Sequence, residues 1–163
     1  MKKVIIIRHA KSSWTDFNLS DFERPLDERG LHDGPIMANR LKEAGHFPQK
    51  IISSSAVRAK TTAGYFSDVF HIPVEETKAL YHAYPDVYLD FIRSMDENTI
   101  CVALVGHNPG ITYLANDIAP GSTDNIPTCG IIVADLGDQK WAEADWHKMK
   151  LLRFMFPKDR NDD

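Results

Sequence analysis

Two arginines and two histidines stand where apolar segments of this sequence end, and their side chains are suited to phosphoryl chemistry. The residues are Arg8, His9, Arg58 and His107. Arginine offers a fixed fork of donors that matches the oxygens of a phosphate group. A neutral imidazole can attack phosphorus and carry the phosphoryl group as a covalent intermediate. Because preplaced cations stabilise the charge of the transition state, this set of residues indicates phosphoryl transfer.

The roles within this set follow from the neighbours of each residue. His9 follows the most apolar segment and sits beside Arg8, so His9 is the stronger candidate for the nucleophile. His107 would then be a second donor to the phosphate oxygens. Arg58 falls in the first turn of a predicted helix, where a cation opposes the helix dipole unless an anion is bound nearby.

Three predicted strands must position these side chains. Residues 4–7 are β-branched and apolar, which is typical of a strand buried on both faces of a parallel sheet. Strands predicted at 50–53 and 100–105 lead in the same way toward Arg58 and His107. Since ligands of open α/β sheets bind at the carboxyl ends of the strands, we expect the three ends to meet at one edge.

Apolar periodicity predicts helices at 34–45, 56–70, 86–95 and 111–118. Asp33 is a plausible cap of the first helix, and an earlier turn through residues 27–30 is an equal alternative. A strand at 72–74 belongs at the sheet edge because Pro73 has no N–H to donate. Strands predicted at 131–134 and 151–156 indicate an antiparallel edge of the sheet. We therefore expect a single mixed α/β domain over 1–163. The charged tail at 158–163 is expected to be frayed.

Composition narrows the class of protein. The chain has 163 residues, 43% of them hydrophobic, and a net charge of −4, which argues against general nucleic-acid binding. Two cysteines make no disulfide framework, and no apolar run approaches the roughly 20 residues of a membrane span. We therefore expect a cytoplasmic protein, and the absence of a His/Cys cluster or HExxH motif predicts no metal site.

The motifs at the three strand ends resemble those of the histidine phosphatase (phosphoglycerate-mutase-like) superfamily. They are Arg8-His9-Ala10, the run at 53–63 and the run at 106–110. Arg24-Pro25-Leu26, followed by Arg29-Gly30, and the short length look most like the SixA-type phosphohistidine phosphatase branch, over nearly all of 1–157. The resemblance implies a three-layer α/β/α sandwich, a phospho-His9 intermediate, and no metal or organic cofactor. It also implies that Arg8, Arg58 and His107 bind the phosphate.

Two positions depart from the pattern of the larger family members. Thr15 stands where they carry an asparagine that helps to hold phosphate, so we expect Thr15 to donate that hydrogen bond with a different reach. Leu80-Tyr81-His82 stands where they carry a glutamate general acid, so no carboxylate aligns. His82, Asp16 and Asp21 remain alternatives for the acid.

The missing glutamate favours a phosphoramidate substrate, because an N–P bond breaks with less help once the leaving imidazole is protonated. We expect a phosphatase that acts on phosphohistidine of a protein partner, such as a histidine phosphotransfer domain, and that releases inorganic phosphate. The short chain leaves little room for a lid, so the site should be open enough for a protein side chain. A small-molecule phosphomonoesterase is the alternative enzyme, and a non-catalytic phosphate-binding interaction module is the alternative of another class. No nucleic acid or membrane is expected as a partner.

Overall fold

The computed structural model describes residues 1–159 and contains one six-stranded sheet within that range. The strands are β1 (Lys3–Arg8), β2 (Lys50–Ser54), β3 (Val74–Thr77), β4 (Cys101–Gly106), β5 (Ile131–Asp135) and β6 (Lys150–Met155). The helices are α1 (Glu28–Glu43), α2 (Val57–Phe70), α3 (Pro85–Arg93) and α4 (Gly110–Ile118). Short 3-10 turns complete the described chain, at Asp21–Glu23, Lys78–Leu80, Trp141–Glu143, Trp146–Lys148 and Pro157–Asp159.

The strand order is β3-β2-β4-β1-β5-β6, with parallel pairing from β3 to β1 and antiparallel pairing from β1 to β6. This confirms the mixed α/β sheet with an antiparallel edge. Arg8 is paired with Gly106 in the register of β1 and β4. His9 and His107 therefore leave the sheet side by side, one residue beyond the paired ends.

The sheet is buried on both faces, which makes the fold a three-layer sandwich. Side chains alternate along β1, so Ile5 and Ile7 pack with α1 and α2 while Val4 and Ile6 pack with α3 and α4. Every residue from Val4 to Ile7 is fully buried. The apolar run at the start of the sequence is thus the centre of both cores, and the polar residues that follow it emerge at a defined edge.

Helix α1 begins at Glu28, earlier than the prediction of residue 34. Asp27 caps it by accepting a hydrogen bond from the Gly30 backbone N–H at 2.9 Å. Gly34-Pro35 does not interrupt the helix. Gly34 instead allows a close helix contact, since a Cβ built there would lie 2.4 Å from Tyr65 Cδ2. The predicted start at residue 34 is therefore wrong, and the alternative turn at 27–30 forms the cap and first turn of the same helix, because the cap and the buried apolar face outweigh the unfavourable proline.

The remaining predicted elements agree with the structure to within a few residues, and β3 lies at the sheet edge as expected. Of the tail predicted to fray, Pro157–Asp159 forms a 3-10 turn, and residues 160–163 lie outside the described part of the chain. Arg40 Nη1 donates to the carbonyls of Phe156 and Pro157 at 3.3 and 3.1 Å. Across residues 1–159, no helix has the length and apolar character that crossing a membrane requires.

Candidate active site

His9 lies at the bottom of a cleft of about 280 Å³ at the carboxyl ends of β1, β2 and β4. Its backbone N–H donates to the Gly106 carbonyl at 3.0 Å, and the residue is 6% exposed. His9 Nδ1 lies 2.7 Å from the Ala10 carbonyl oxygen. Because a carbonyl only accepts, Nδ1 carries the proton and Nε2 keeps its lone pair.

The charge state of His9 also suits a nucleophile. The pKa of His9 is lowered to about 3, mainly by burial and in addition by the charges of Arg58, Arg8 and Arg24, while the hydrogen bond to Ala10 opposes this shift. His9 is therefore neutral near pH 7 while it remains surrounded by cations. This combination is what an imidazole needs to attack an anionic phosphoryl group.

Two of these cations, Arg8 and Arg58, are held rigidly by the fold. Arg8 Nη1 donates to the Ile126 carbonyl at 2.8 Å, and Arg58 Nη1 donates to the Asp21 carbonyl at 2.6 Å. The Nε atoms of both guanidinium groups are buried and have no partner within residues 1–159. Burial and the charge of Arg58 lower the pKa of Arg8. A bound anion would relieve this repulsion, and the positive ends of α2 and α4 at the same sheet edge favour the same charge.

His107 lies next to His9, with ring centroids 5.1 Å apart. His107 Nε2 is 2.8 Å from Ser54 Oγ, which in turn accepts a hydrogen bond from the Ala56 backbone N–H at 3.2 Å. The pKa of His107 is lowered to about 2, mainly by burial and in addition by electrostatic repulsion from the neighbouring titratable groups His9, Arg58 and His82, against the opposing effect of Asp21. His107 is thus neutral in this structure, and its Nδ1 is buried without a hydrogen-bond partner within residues 1–159.

Arg24 is a third guanidinium in the cleft, and sequence reasoning gave it no role. Its Nη1 donates to Ser12 Oγ at 2.9 Å, its Nε donates to Asp21 Oδ1 at 3.2 Å, and its guanidinium carbon lies 3.4 Å from the centroid of the Trp14 ring. The signal was present in the Arg24-Pro25-Leu26 motif. Arg24 was missed because it follows a loop rather than a strand end. The cleft also includes Lys11, Ser12, Asn108 and Thr128.

Asp21 lies in the cleft but is engaged with cations. Its Oδ2 accepts from Arg58 Nη2 at 2.9 Å and from the Tyr81 hydroxyl at 2.5 Å, and it lies 3.6 Å from His82 Nε2. Burial alone would raise the pKa of Asp21, but the hydrogen bonds from Tyr81 and Arg58 outweigh it and hold the pKa well below its usual range. An ionised Asp21 has no proton to donate, so its position suits a carboxylate that orients Arg58.

Thr15 and Asp16, which sequence reasoning offered as phosphate donor and acid, do not line the cleft. Both are exposed: Thr15 Oγ1 bonds with Ser13 Oγ at 2.9 Å, and Asp16 Oδ1 accepts from the Asn18 N–H at 2.9 Å. The backbone bond from Ser13 N–H to the Pro25 carbonyl ties the base of this loop down, and the loop then turns outward.

His82, the third acid candidate, does line the cleft. Its side chain is 58% exposed, and its ring centroid lies 4.0 Å from that of Tyr81 and 5.9 Å from that of His107. The structure therefore brings together Arg8, His9, Asp21, Arg24, Arg58, His82 and His107. A larger cavity of about 380 Å³ is bounded by Arg40, Arg153 and Met155 and contains none of the predicted site residues.

Comparison with known proteins matches residues 4–83 to the family model of the histidine phosphatase superfamily (branch 1). An uncharacterized chloroplastic protein of Arabidopsis thaliana is 31% identical over 156 residues, covering 88% of this chain and 70% of that protein. The phosphohistidine phosphatase SixA of Escherichia coli is 27% identical over 137 residues, covering 81% of this chain and 83% of that protein. A solved structure assigned to phosphohistidine phosphatase SixA of Agrobacterium tumefaciens superposes with a TM-score of 0.83 at 26% identity, over 96% of this chain and 98% of that chain.

Proposed function

This chain belongs to the histidine phosphatase superfamily, and we propose that it removes the phosphoryl group from phosphohistidine of a protein partner through a covalent phospho-His9 intermediate. One observation carries the proposal. His9 is neutral, its Nε2 is unprotonated, and the guanidinium groups of Arg8, Arg24 and Arg58 share its cleft.

The chemistry proceeds in two displacements at phosphorus. In the first, His9 Nε2 forms a bond to phosphorus as the bond to the leaving nitrogen breaks, and the leaving group takes a proton. In the second, a water oxygen bonds to phosphorus, the water gives up a proton, and the electron pair of the breaking N–P bond returns to Nε2. The arginines stabilise the phosphoryl oxygens in both transition states, and inorganic phosphate is released. Each step uses only side chains of this chain and water.

Three features support a protein-borne phosphohistidine as the substrate. Two of the relatives described above are called phosphohistidine phosphatases. The cleft opens to solvent, so a side chain on another protein can enter it. Trp14 at the cleft is 65% exposed and Phe17 in the same loop is 95% exposed, and exposed aromatic side chains are common where one protein surface meets another.

The proposal is tested by comparing a phosphorylated histidine phosphotransfer domain with a panel of sugar phosphates as substrates. We expect phosphate release from the phosphotransfer domain with the higher kcat/KM, and a base-stable phosphorus label on the protein during turnover. His9→Ala should abolish both the label and the release. His147→Ala, at an exposed histidine outside the cleft, should change neither.

The alternatives give different outcomes in the same assay. A much higher kcat/KM for sugar phosphates would favour the small-molecule phosphomonoesterase. Binding of the phosphorylated domain by both wild type and His9→Ala, with turnover by neither, would favour the non-catalytic module. Turnover without a label on His9 would contradict the covalent intermediate.

A further inference from the structure

The leaving group of the first step must depart from the open side of the cleft. Displacement at phosphorus places the attacking and leaving atoms roughly in line, on opposite sides of the phosphoryl group. His9 is almost fully buried at the bottom of the cleft, so the leaving atom faces the mouth. A side chain that protonates the leaving atom therefore has to be both titratable and exposed at the mouth.

Histidine is the side chain that exchanges a proton most readily near neutral pH, and three histidines line the cleft within residues 1–159. His9 is the nucleophile. His107 is 2% exposed and neutral, with burial as the main cause of its lowered pKa. His82, with a side chain that is 58% exposed, is by far the most exposed of the three.

The surroundings of His82 fit a residue that holds and releases a proton. Asp21 Oδ2 lies 3.6 Å from His82 Nε2, and Arg58 and Tyr81 keep this carboxylate ionised and in place. A protonated His82 ring is thereby paired with a negative charge. His82 also has a backbone φ of +56°, which few residues other than glycine adopt and which is often found at functional sites.

We propose that His82 is a catalytic residue that protonates the leaving group and then accepts a proton from the attacking water. This inference rests on the proposed function, because it concerns the two displacements at His9. In the first step the proton of the His82 imidazolium moves to the leaving nitrogen or oxygen as its bond to phosphorus breaks. In the second step neutral His82 takes a proton from water as the new O–P bond forms, which restores the imidazolium.

A series of leaving groups distinguishes a proton donor from a structural residue. The leaving group of p-nitrophenyl phosphate is p-nitrophenolate, which departs without protonation. The leaving group of phenyl phosphate is the more basic phenolate, whose departure is helped by a proton. We expect His82→Gln to lower kcat/KM for phenyl phosphate by roughly 10²- to 10⁴-fold, the usual contribution of a general acid. The loss for p-nitrophenyl phosphate should be far smaller, so the dependence of kcat/KM on leaving-group basicity becomes steeper.

The second step provides a readout that needs no aryl substrate. Wild type is labelled from a phosphohistidine peptide, excess substrate is removed, and the decay of phospho-His9 is followed. We expect slower decay in His82→Gln, because the water has lost its proton acceptor. His82→Asn is a second variant whose residue type tolerates positive φ, and it should show the same two effects without backbone strain.

His71→Gln is the matched control, since His71 is an exposed histidine with a φ of +57° that lies at the end of α2 outside the cleft. It should leave both readouts unchanged. Equal losses for all leaving groups, or wild-type decay of phospho-His9 in both His82 variants, would overturn the role of His82. A wild-type protein that never carries phosphorus on His9 would instead overturn the proposed function itself.

Discussion

At the scale of single residues, Arg24 shows how a side chain outside the strand ends completes the site. Its guanidinium stacks on Trp14 and bonds with Ser12, Ser13 and Asp21, so its position is determined by several partners at once. The charge of Arg24 also contributes to the low pKa of His9, after burial and the charges of Arg58 and Arg8. Arg24 therefore influences the pKa of His9 and lies in the same cleft, where it could also bind a phosphate.

We predict that Arg24→Lys weakens phosphate binding although the positive charge is kept. A lysine ammonium cannot reproduce a planar fork that stacks on an aromatic ring and bonds with two serines. We expect kcat/KM to fall by roughly 10- to 100-fold, somewhat less than the usual loss when such a donor is deleted. Inhibition by inorganic phosphate should weaken in parallel.

The control for this variant is Arg29→Lys, at a half-exposed arginine of α1 that pairs with Asp33. It should leave kcat/KM and phosphate inhibition unchanged. If Arg24→Lys behaved in the same way, Arg24 would not be a phosphate ligand.

At the scale of elements, the site depends on how closely α1 and α2 approach each other. Arg58 lies in the first turn of α2, and its partner Asp21 lies in the turn that precedes α1. Gly34 of α1 lies against Tyr65 of α2. The spacing of the two helices is therefore set by a residue that has no side chain.

We predict that Gly34→Ala destabilises the protein even though alanine is the better helix former. The new Cβ would lie 2.4 Å from Tyr65 Cδ2, and overpacking of this kind costs about 1–3 kcal/mol. The helix propensity of alanine recovers at most about 1 kcal/mol of that cost. Urea unfolding measures the net change in the free energy of unfolding.

Two comparisons check the cause of that loss. Gly64→Ala, at a glycine of α2 with open space around its Cβ, should be neutral or stabilising. In a Tyr65→Leu background the penalty of Gly34→Ala should shrink, because the clashing ring is gone. An undiminished penalty there would place the cause elsewhere than at the helix contact.

At the scale of the whole molecule, two buried neutral histidines couple the site to stability. The pKa of His9 is lowered to about 3 and that of His107 to about 2, in both cases mainly by burial. In the unfolded chain both titrate near the ordinary value of 6.5. Between pH 6.5 and these lowered pKa values, the unfolded state binds more protons than the folded state. The stability contributed by keeping the two histidines neutral is therefore fully present above pH 6.5 and is lost as the pH falls.

We predict that the free energy of unfolding falls as the pH drops below 6.5, approaching about 1.4 kcal/mol per pH unit for each of the two histidines. Between pH 6 and pH 4, His107→Gln should reduce this slope by the contribution of one histidine, about 1.4 kcal/mol per pH unit. Urea unfolding at each pH measures the slope. His147→Gln, at an exposed position, should leave the slope as in wild type. The same slope in wild type and His107→Gln would contradict the assignment of His107 as buried and neutral.

Much of this architecture could be predicted because periodicity is a local property of the chain. The β-branched run at Val4 to Ile7 indicated a central strand, and the strand ends placed Arg8, His9, Arg58 and His107 at one edge, where the structure brings them together. The start of α1 was less certain because Gly34-Pro35 is typical of a helix boundary. The cap at Asp27 and the contact with Tyr65 decided it in favour of a continuous helix.

The sequence by itself determined which reactive residues follow which strands. It therefore predicted a nucleophile with cationic neighbours. Only the tertiary structure decided which loop residues face the cleft. Arg24, Asp21 and His82 turn inward while Thr15 and Asp16 turn outward, although all lie in segments of similar polarity. The physical reason is that a loop side chain is placed by hydrogen bonds and charges from residues distant in the chain, such as Asp21 with Arg58 and Tyr81, and those partners leave no periodic pattern in the sequence.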